Sequence, residues 1–270
     1  MALSSARIET NSTLVTTVVL GLAAGFLSGL FGVGGGILIV PALVMFLKMD
    51  QRLAHGTSLA AVLPIALSSL AGFWTNGNID WPVALFLAIG AVGGAMLGTK
   101  LLHVLPHRTL GFAFAAVLIA SAIRLFITTE ANGRGDLTLA MAVGLVAVGL
   151  GTGILAGLLG VGGGIVMVPV MIVLFKISPV VAKGTSIAVI IPTAIMGTWR
   201  NRKKQNADLR TAAILGVGGI VSAWFGAHLS DAMSDETSNV LFAILLSLVA
   251  IRMLWQLEQE RRAARPSPAA

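Results

Sequence analysis

Long apolar stretches separated by short polar joints run along the whole chain, among them Val83–Leu102, Leu110–Ile127, Leu137–Leu159, Thr211–Leu229 and Val240–Trp255. A bilayer core takes about 20 residues of helix to cross, so several of these stretches are long enough to span it. The sequence lacks the every-second-residue alternation of a transmembrane strand, which argues against a barrel. Leu14–Leu30 has one nearby cation, Arg7, and runs into further apolar sequence without a small-x-small cleavage site. It therefore reads as a retained segment and not as a signal peptide. The predicted fold class is all-α: a polytopic membrane protein.

The pattern occurs twice. Gly29-Leu-Phe-Gly-Val-Gly-Gly-Gly-Ile-Leu-Ile-Val-Pro41 matches Gly157-Leu-Leu-Gly-Val-Gly-Gly-Gly-Ile-Val-Met-Val-Pro169 at ten of thirteen positions, at an offset of 128 residues. Without a gap, the same offset pairs Lys48 with Lys176, Gly56-Thr57-Ser58 with Gly184-Thr185-Ser186, and Pro64 with Pro192. It goes on to pair Asp80 with Asp208, Gly98 with Gly226 and Arg124 with Arg252. Self-similarity on this scale marks a duplicated structural unit. The two membrane repeats occupy 14–127 and 139–255, with a connecting loop at 128–138 and a tail at 256–270.

Loop charge predicts how the copies are related. The loop Arg200–Arg210 is strongly cationic, whereas its equivalent, Asn76–Asp80, has no Lys or Arg. The next loop reverses the pattern: Ser230–Glu236 is acidic, and His103–Arg108 carries a cation and two histidines. By the positive-inside rule, equivalent loops then lie on opposite sides of the membrane. This predicts inverted repeats with both termini cytoplasmic, a common transporter plan. Inversion needs an odd number of crossings per half. Thr57–Trp74, Pro82–Leu102 and Leu110–Ile127 supply three, so Leu14–Leu47 must cross an even number of times. That stretch is too short for two full spans of about 20 residues. Two short or broken segments meeting at the glycine run are expected, giving about five helical segments per half.

Composition strengthens this picture. Apolar residues make up 56% of the 270 positions and charged residues 11%, too few to wet a soluble globule, where about a quarter are charged. The net charge of +7 gathers at Arg200, Arg202, Lys203, Lys204 and Arg210, and again at Arg261, Arg262 and Arg265. Basic clusters beside apolar spans mark cytoplasmic loops and no nucleic-acid partner. There is no cysteine, which excludes disulfides and thiolate metal sites. Gly21, Gly25 and Gly29, their equivalents Gly149, Gly153 and Gly157, and Gly90, Gly94 and Gly98 form small-residue rows. Such rows suit close helix packing within one protomer first, and a homodimer face second. Trp74, Trp81 and Trp255 read as interface anchors.

The chemistry centres on Gly32-Val-Gly-Gly-Gly36 and Gly160-Val-Gly-Gly-Gly164. Neither run has the Gly-Lys-Ser/Thr ending of a Walker loop or the strand context of a dinucleotide fingerprint. Consecutive glycines do supply unwound backbone, which hydrocarbon tolerates only inside protein or beside a wet cavity. Free N–H groups and the start of the following helix attract an anion without a buried cation. The helix start falls either at the glycines or, with Ile37–Val40 extended, at Pro41. The candidate substrate residues are Gly34, Gly35, Gly36, Gly162, Gly163 and Gly164, joined by Thr57, Ser58, Thr185 and Ser186. Those hydroxyls either cap helix starts or donate to substrate oxygens. His55 and Lys183 stand at equivalent positions before Gly-Thr-Ser and are candidates for coupling or substrate contact, as are Lys48 and Lys176 at expected helix ends. Solvation of His55 and snorkelling of the lysines are the plainer alternatives. Arg124 and Arg252 near span ends read as snorkelling residues. No paired carboxylates or metal-spaced cluster occur, so no enzyme, metal or cofactor is expected.

The duplicated Gly-Val-Gly-Gly-Gly run, the proline that follows and the Gly-Thr-Ser element together resemble the TauE/SafE family of sulfite exporters, over roughly Leu14–Leu254. The resemblance implies an inner-membrane permease for a small anion such as sulfite or an organosulfonate, working by alternating access. A channel-like anion pore and a permease for an unrelated small anion are the alternatives. It carries over to the ten glycine, threonine and serine candidates named above. The departure between His55 and Lys183 leaves the role of that position open.

Overall fold

In lipid, each backbone N–H and C=O must be satisfied within the segment or its neighbours, and a chain this apolar does so as helix. The structure is a computed structural model and describes residues 2–101, 107–127, 136–159, 163–203 and 205–263. Among the described residues there are ten helices and no strand. The first half holds α1 (Ala2–Phe31), α2 (Gly36–Phe46), α3 (Gln51–Thr75), α4 (Trp81–Leu101) and α5 (His107–Ile127). The second holds α6 (Leu139–Leu159), α7 (Gly164–Phe175), α8 (Pro179–Lys203), α9 (Leu209–Ala232) and α10 (Asp235–Ala263). The last four helices of each half begin 128 residues apart, at Gly36 and Gly164, Gln51 and Pro179, Trp81 and Leu209, and His107 and Asp235.

Six helices are long and apolar enough to cross a membrane, including Thr13–Phe31 of α1. α2 and α7 have 11 and 12 residues, about 16–18 Å at 1.5 Å per residue, roughly half of a bilayer core of about 30 Å. The expectation of two short segments within Leu14–Leu47 is corrected for the first of them: α1 runs unbroken to Phe31, and its Thr13–Phe31 part is by itself long and apolar enough for a full span. The second expectation, a helix start at Pro41, is also corrected. α2 begins at Gly36 and α7 at Gly164, so Pro41 and Pro169 lie inside their helices. Winding Ile37–Val40 into helix gives those backbone groups internal partners at the cost of the one N–H that proline lacks.

Two acidic residues related by the offset cap the fourth helices. The Asp208 side chain accepts from the N–H groups of Arg210 and Thr211, and that of Asp80 from the N–H of Val83. Such caps satisfy donors that a helix start leaves orphaned.

The two halves interlock with their partners exchanged. α1 packs on α9 and α6 on α4. Gly21 and Gly25 lie against the carbonyls of Leu215 and Gly219, while Gly149 and Gly153 lie against those of Leu87 and Ala91. Every contact in the first set becomes one in the second when each residue is moved by 128, the signature of a pseudo-twofold axis. The glycine rows are thus used between helices of one chain, where a Cβ would strike backbone. α3 and α8 pack on each other. Gly56, near the start of α3, touches Asn206 beyond the end of α8, and Gly184, near the start of α8, touches Asn78 beyond the end of α3. Those two helices therefore run antiparallel.

α2 is wedged between two apolar clusters. Ile37 joins Phe31, Val33, Ile165 and Phe242 in one, while Ile39 and Leu43 join Val62, Ile65 and Ile190 in the other. The outer surface is apolar as well: Leu85, Ile89, Val217, Val221, Leu248 and Ile251 are all exposed. Exposure of that kind suits contact with lipid and not with water.

Candidate functional site

The site forms where the first glycine break crosses α8. α1 ends at Phe31, and Gly32, Gly34 and Gly35 adopt φ of 68°, 78° and 72°, a left-handed conformation that side chains resist. The chain turns back on α1, since a Cβ on Gly35 would sit 2.8 Å from the Ala24 carbonyl oxygen. Gly32 rests directly on Lys183, and Gly34 faces Ile190 and Val62. The start of α7 reaches the same place. A Cβ on Gly164 would lie 2.7 Å from the Gly32 carbonyl oxygen and 2.8 Å from the Ser186 hydroxyl. Ser186 Oγ donates to the Gly32 carbonyl at 2.9 Å. Two elements far apart in sequence thus meet as backbone against backbone, and residues 32–36 are all buried. Among the described residues, the N–H groups of Gly34, Gly35, Gly36 and Ile37 meet no backbone acceptor.

The chain matches the family described as Sulfite exporter TauE/SafE over residues 1–125 and 145–270. The protein belongs to the TauE/SafE family. This is a family of membrane transporters, and several relatives are similar along almost their whole length. A Bacillus subtilis protein named "Probable membrane transporter protein YunE" is 28% identical over 273 residues, covering 90% of this chain and 98% of the relative. A second from the same organism, "Probable membrane transporter protein YjnA", is 27% identical, covering 89% and 99%. An archaeal relative, "Probable membrane transporter protein MJ0441" of Methanocaldococcus jannaschii, is 25% identical, covering 88% and 94%.

Within this TauE/SafE chain the sequence-derived candidates separate into groups. Gly164 and Ser186 meet Gly32 at the crossing, and Ile190 packs on both Gly34 and Gly164, whereas Gly35 lies against Ala24 of α1 and Gly36 is buried at the start of α2. Gly163 is the N-cap of α7 with φ of −69°, an ordinary right-handed conformation; Gly162 lies outside the described residues. Thr57 and Thr185 are not at helix starts, because α3 begins at Gln51 and α8 at Pro179, which corrects the capping alternative. Each instead accepts a hydrogen bond from the other half. The Asp208 N–H donates to Thr57 Oγ1 at 2.9 Å, and the Asp80 N–H to Thr185 Oγ1 at 3.0 Å. Ser58, the equivalent of Ser186, is buried, and its hydroxyl meets no hydrogen-bond partner among the described residues. Lys48 and Lys176 are exposed, with φ of 51° and 54°, beyond the far ends of α2 and α7. They stand about 16–18 Å from the breaks along those helices.

His55 and Lys183 differ in burial as well as in type. His55 is half-buried, whereas Lys183 is fully buried. Lys183 Nζ donates to Ser230 Oγ at 3.1 Å and to Ser238 Oγ at 2.5 Å, and it stands 5.6 Å from the Phe31 ring centroid. Sequence reasoning missed Ser230, Ser238 and Phe31. At the repeat offset the two serines face Leu102 and Leu110, so a comparison of the halves directs attention away from them.

Apart from the crossing, a cavity of about 150 Å³ lies between α1, α2 and α10, lined by Leu20, Leu38, Pro41, Met45, Phe46 and Arg252 among others. Arg252 Nη2 donates to Met45 Sδ at 3.2 Å at its edge.

Proposed function

We propose that the protein is a secondary transporter that exports a small sulfur-containing anion, sulfite or an organosulfonate, across the inner membrane by alternating access. The observation that carries the reading is the meeting of Gly32 with Gly164 under Ser186, beside N–H groups that meet no backbone acceptor among the described residues. A sulfite or sulfonate oxygen cluster suits several such donors, which spread its charge without a fixed cation at each oxygen. Ser58 already has its hydroxyl unengaged among the described residues, and rearrangement would release those of Thr57 and Thr185 from Asp208 and Asp80 for the anion. The antiparallel pairing of α3 with α8 supports inverted repeats, since two equivalent spans running in opposite directions place the pseudo-twofold axis in the membrane plane. Burial of residues 32–36 favours a carrier caught closed over an open pore.

The deciding measurement is flux into and out of proteoliposomes loaded with labelled sulfite, sulfoacetate or taurine. Saturable, protein-dependent flux of at least one of these anions is expected. Flux no greater than in empty liposomes for every small anion tried would end the reading. Unsaturated, voltage-driven current would replace the carrier with a pore.

A further inference from the structure

We infer that Lys183, held by Ser230 and Ser238, is a subsite that binds the transported anion at one end of its path. The inference rests on the transport reading and adds to it the residue that supplies the charge. Lys183 is fully buried, and its ammonium meets two neutral hydroxyls and the face of Phe31. Asp235, an exposed carboxylate, starts α10 one turn before Ser238. A buried charge with neutral neighbours is costly unless a counter-charge joins it, and ionisable groups inside membrane helices cluster on substrate and ion pathways. For a carrier of oxyanions, the cargo itself is that counter-charge.

Position links the lysine to the glycine crossing. A Cβ on Gly32 would fall 2.7 Å from the Lys183 carbonyl oxygen, and Ser186, one turn further along α8, donates to the Gly32 carbonyl. The Lys183 backbone and the Ser186 hydroxyl thus both meet Gly32, and the lysine side chain extends from that point to Ser230 and Ser238. The triad is not a requirement of the repeat, because the first half carries His55, Leu102 and Leu110 at the equivalent positions. Nor is it central. The neighbouring Gly184 touches Asn78, and Asn76 and Asn78 donate to Asp231 beside Ser230. The triad therefore lies beneath the α3–α4 and α9–α10 connections, at one end of α8. The equivalent end of α3, with His55, lies under the α8–α9 connection next to Asn206 and Asp208. An anion moving along this path meets the ammonium at one end alone.

The test compares wild type, K183Q, K183R and S238A in proteoliposomes, as initial rates against concentration of labelled sulfite or sulfoacetate. Melting temperatures are measured in detergent with and without the same anion. K183Q is expected to raise KM by about tenfold or more, the loss of one charge-assisted hydrogen bond. It should also lose the thermal stabilisation the anion gives wild type. K183R should retain part of both, and S238A should raise KM by about threefold with little change in maximal rate. A K183Q protein with wild-type KM and wild-type anion stabilisation overturns the inference and leaves the transport reading standing. If K183Q does not fold, S238A decides, and an unchanged KM there overturns it equally. Wild-type protein that moves no small anion defeats the transport reading instead, a separate result.

Discussion

At the residue scale, Gly35 and its equivalent Gly163 carry different backbones, with consequences that can be measured. Gly35 has φ of 72° and lies under the Ala24 carbonyl, so a side chain there meets both a forbidden conformation and a backbone atom. Gly163, its equivalent, has φ of −69°, and a Cβ would first meet the mobile end of Met167. G35A should therefore cost about 1–2 kcal/mol from conformation alone, lower the melting temperature and depress flux, while G163A stays close to wild type in both. Equal losses in the two variants would show that both breaks are equally strained in the working protein. Repetition in the sequence announces both runs as special. It does not reveal that Gly35 is left-handed and Gly163 is not. The Lys183 triad was less legible still: its lysine stood out, but its two serines are spaced along helices with no local pattern to mark them.

At the element scale, the frame of the repeat was readable and the details of helix starts were not. Equal offsets foretold equal helix starts for the last four helices of each half, since similar apolar stretches with like boundaries, such as Asp80 and Asp208, dictate similar elements. The prolines and the Gly-Thr-Ser elements misled, because each is common at a helix start and here lies inside one. Thr57 and Thr185 bind across the halves, a long-range contact invisible in local sequence. T57V and T185V should each destabilise by about 1 kcal/mol, and by similar amounts because the contacts are reciprocal; a large difference in their melting temperatures would break the equivalence. Asp208, just outside the α9 span, gives a pH-dependent test. Burial opposes its ionisation, but hydrogen bonds from the Thr211 hydroxyl and from the N–H groups of Thr211 and Arg210, aided by the Arg210 charge, hold its pKa below the ordinary value. Stability from a lowered pKa is present above the unfolded value of about 4 and is lost as pH falls through the folded one. D208A should thus cost about 1 kcal/mol near neutral pH. Its gap to wild type in melting temperature should narrow as the pH drops below about 4; a gap independent of pH would remove the carboxylate from the account.

At the scale of the whole molecule, the relation between the halves bears most directly on mechanism. Two copies related by a twofold axis along the membrane normal would present equivalent loops to the same side, and exchanging their conformations would leave both gates facing one way. Copies related by an axis in the membrane plane present equivalent loops to opposite sides, so exchanging conformations turns an inward-open carrier outward. Two independent lines favour the second arrangement. The cationic Arg200–Arg210 loop has an uncharged-to-acidic counterpart at Asn76–Asp80, and the spans leading into those loops, α8 and α3, run antiparallel. The chain has no cysteine, so single cysteines can be introduced without background. N76C and R202C, labelled in intact cells and then in opened membranes with an impermeant maleimide, should react from opposite sides, N76C from outside and R202C only after opening. Both sites reacting from one side would make the repeats parallel, and alternation would then need a motion within each half and not an exchange between them. The same experiment orients the buried ammonium. Lys183 lies on the Asn78 side of the molecule, so external labelling of N76C would put the lysine at the outer end of the path. An exporter would then hold its anion most strongly just before release, and the off-rate there would limit turnover; internal labelling would make the same lysine the site of capture.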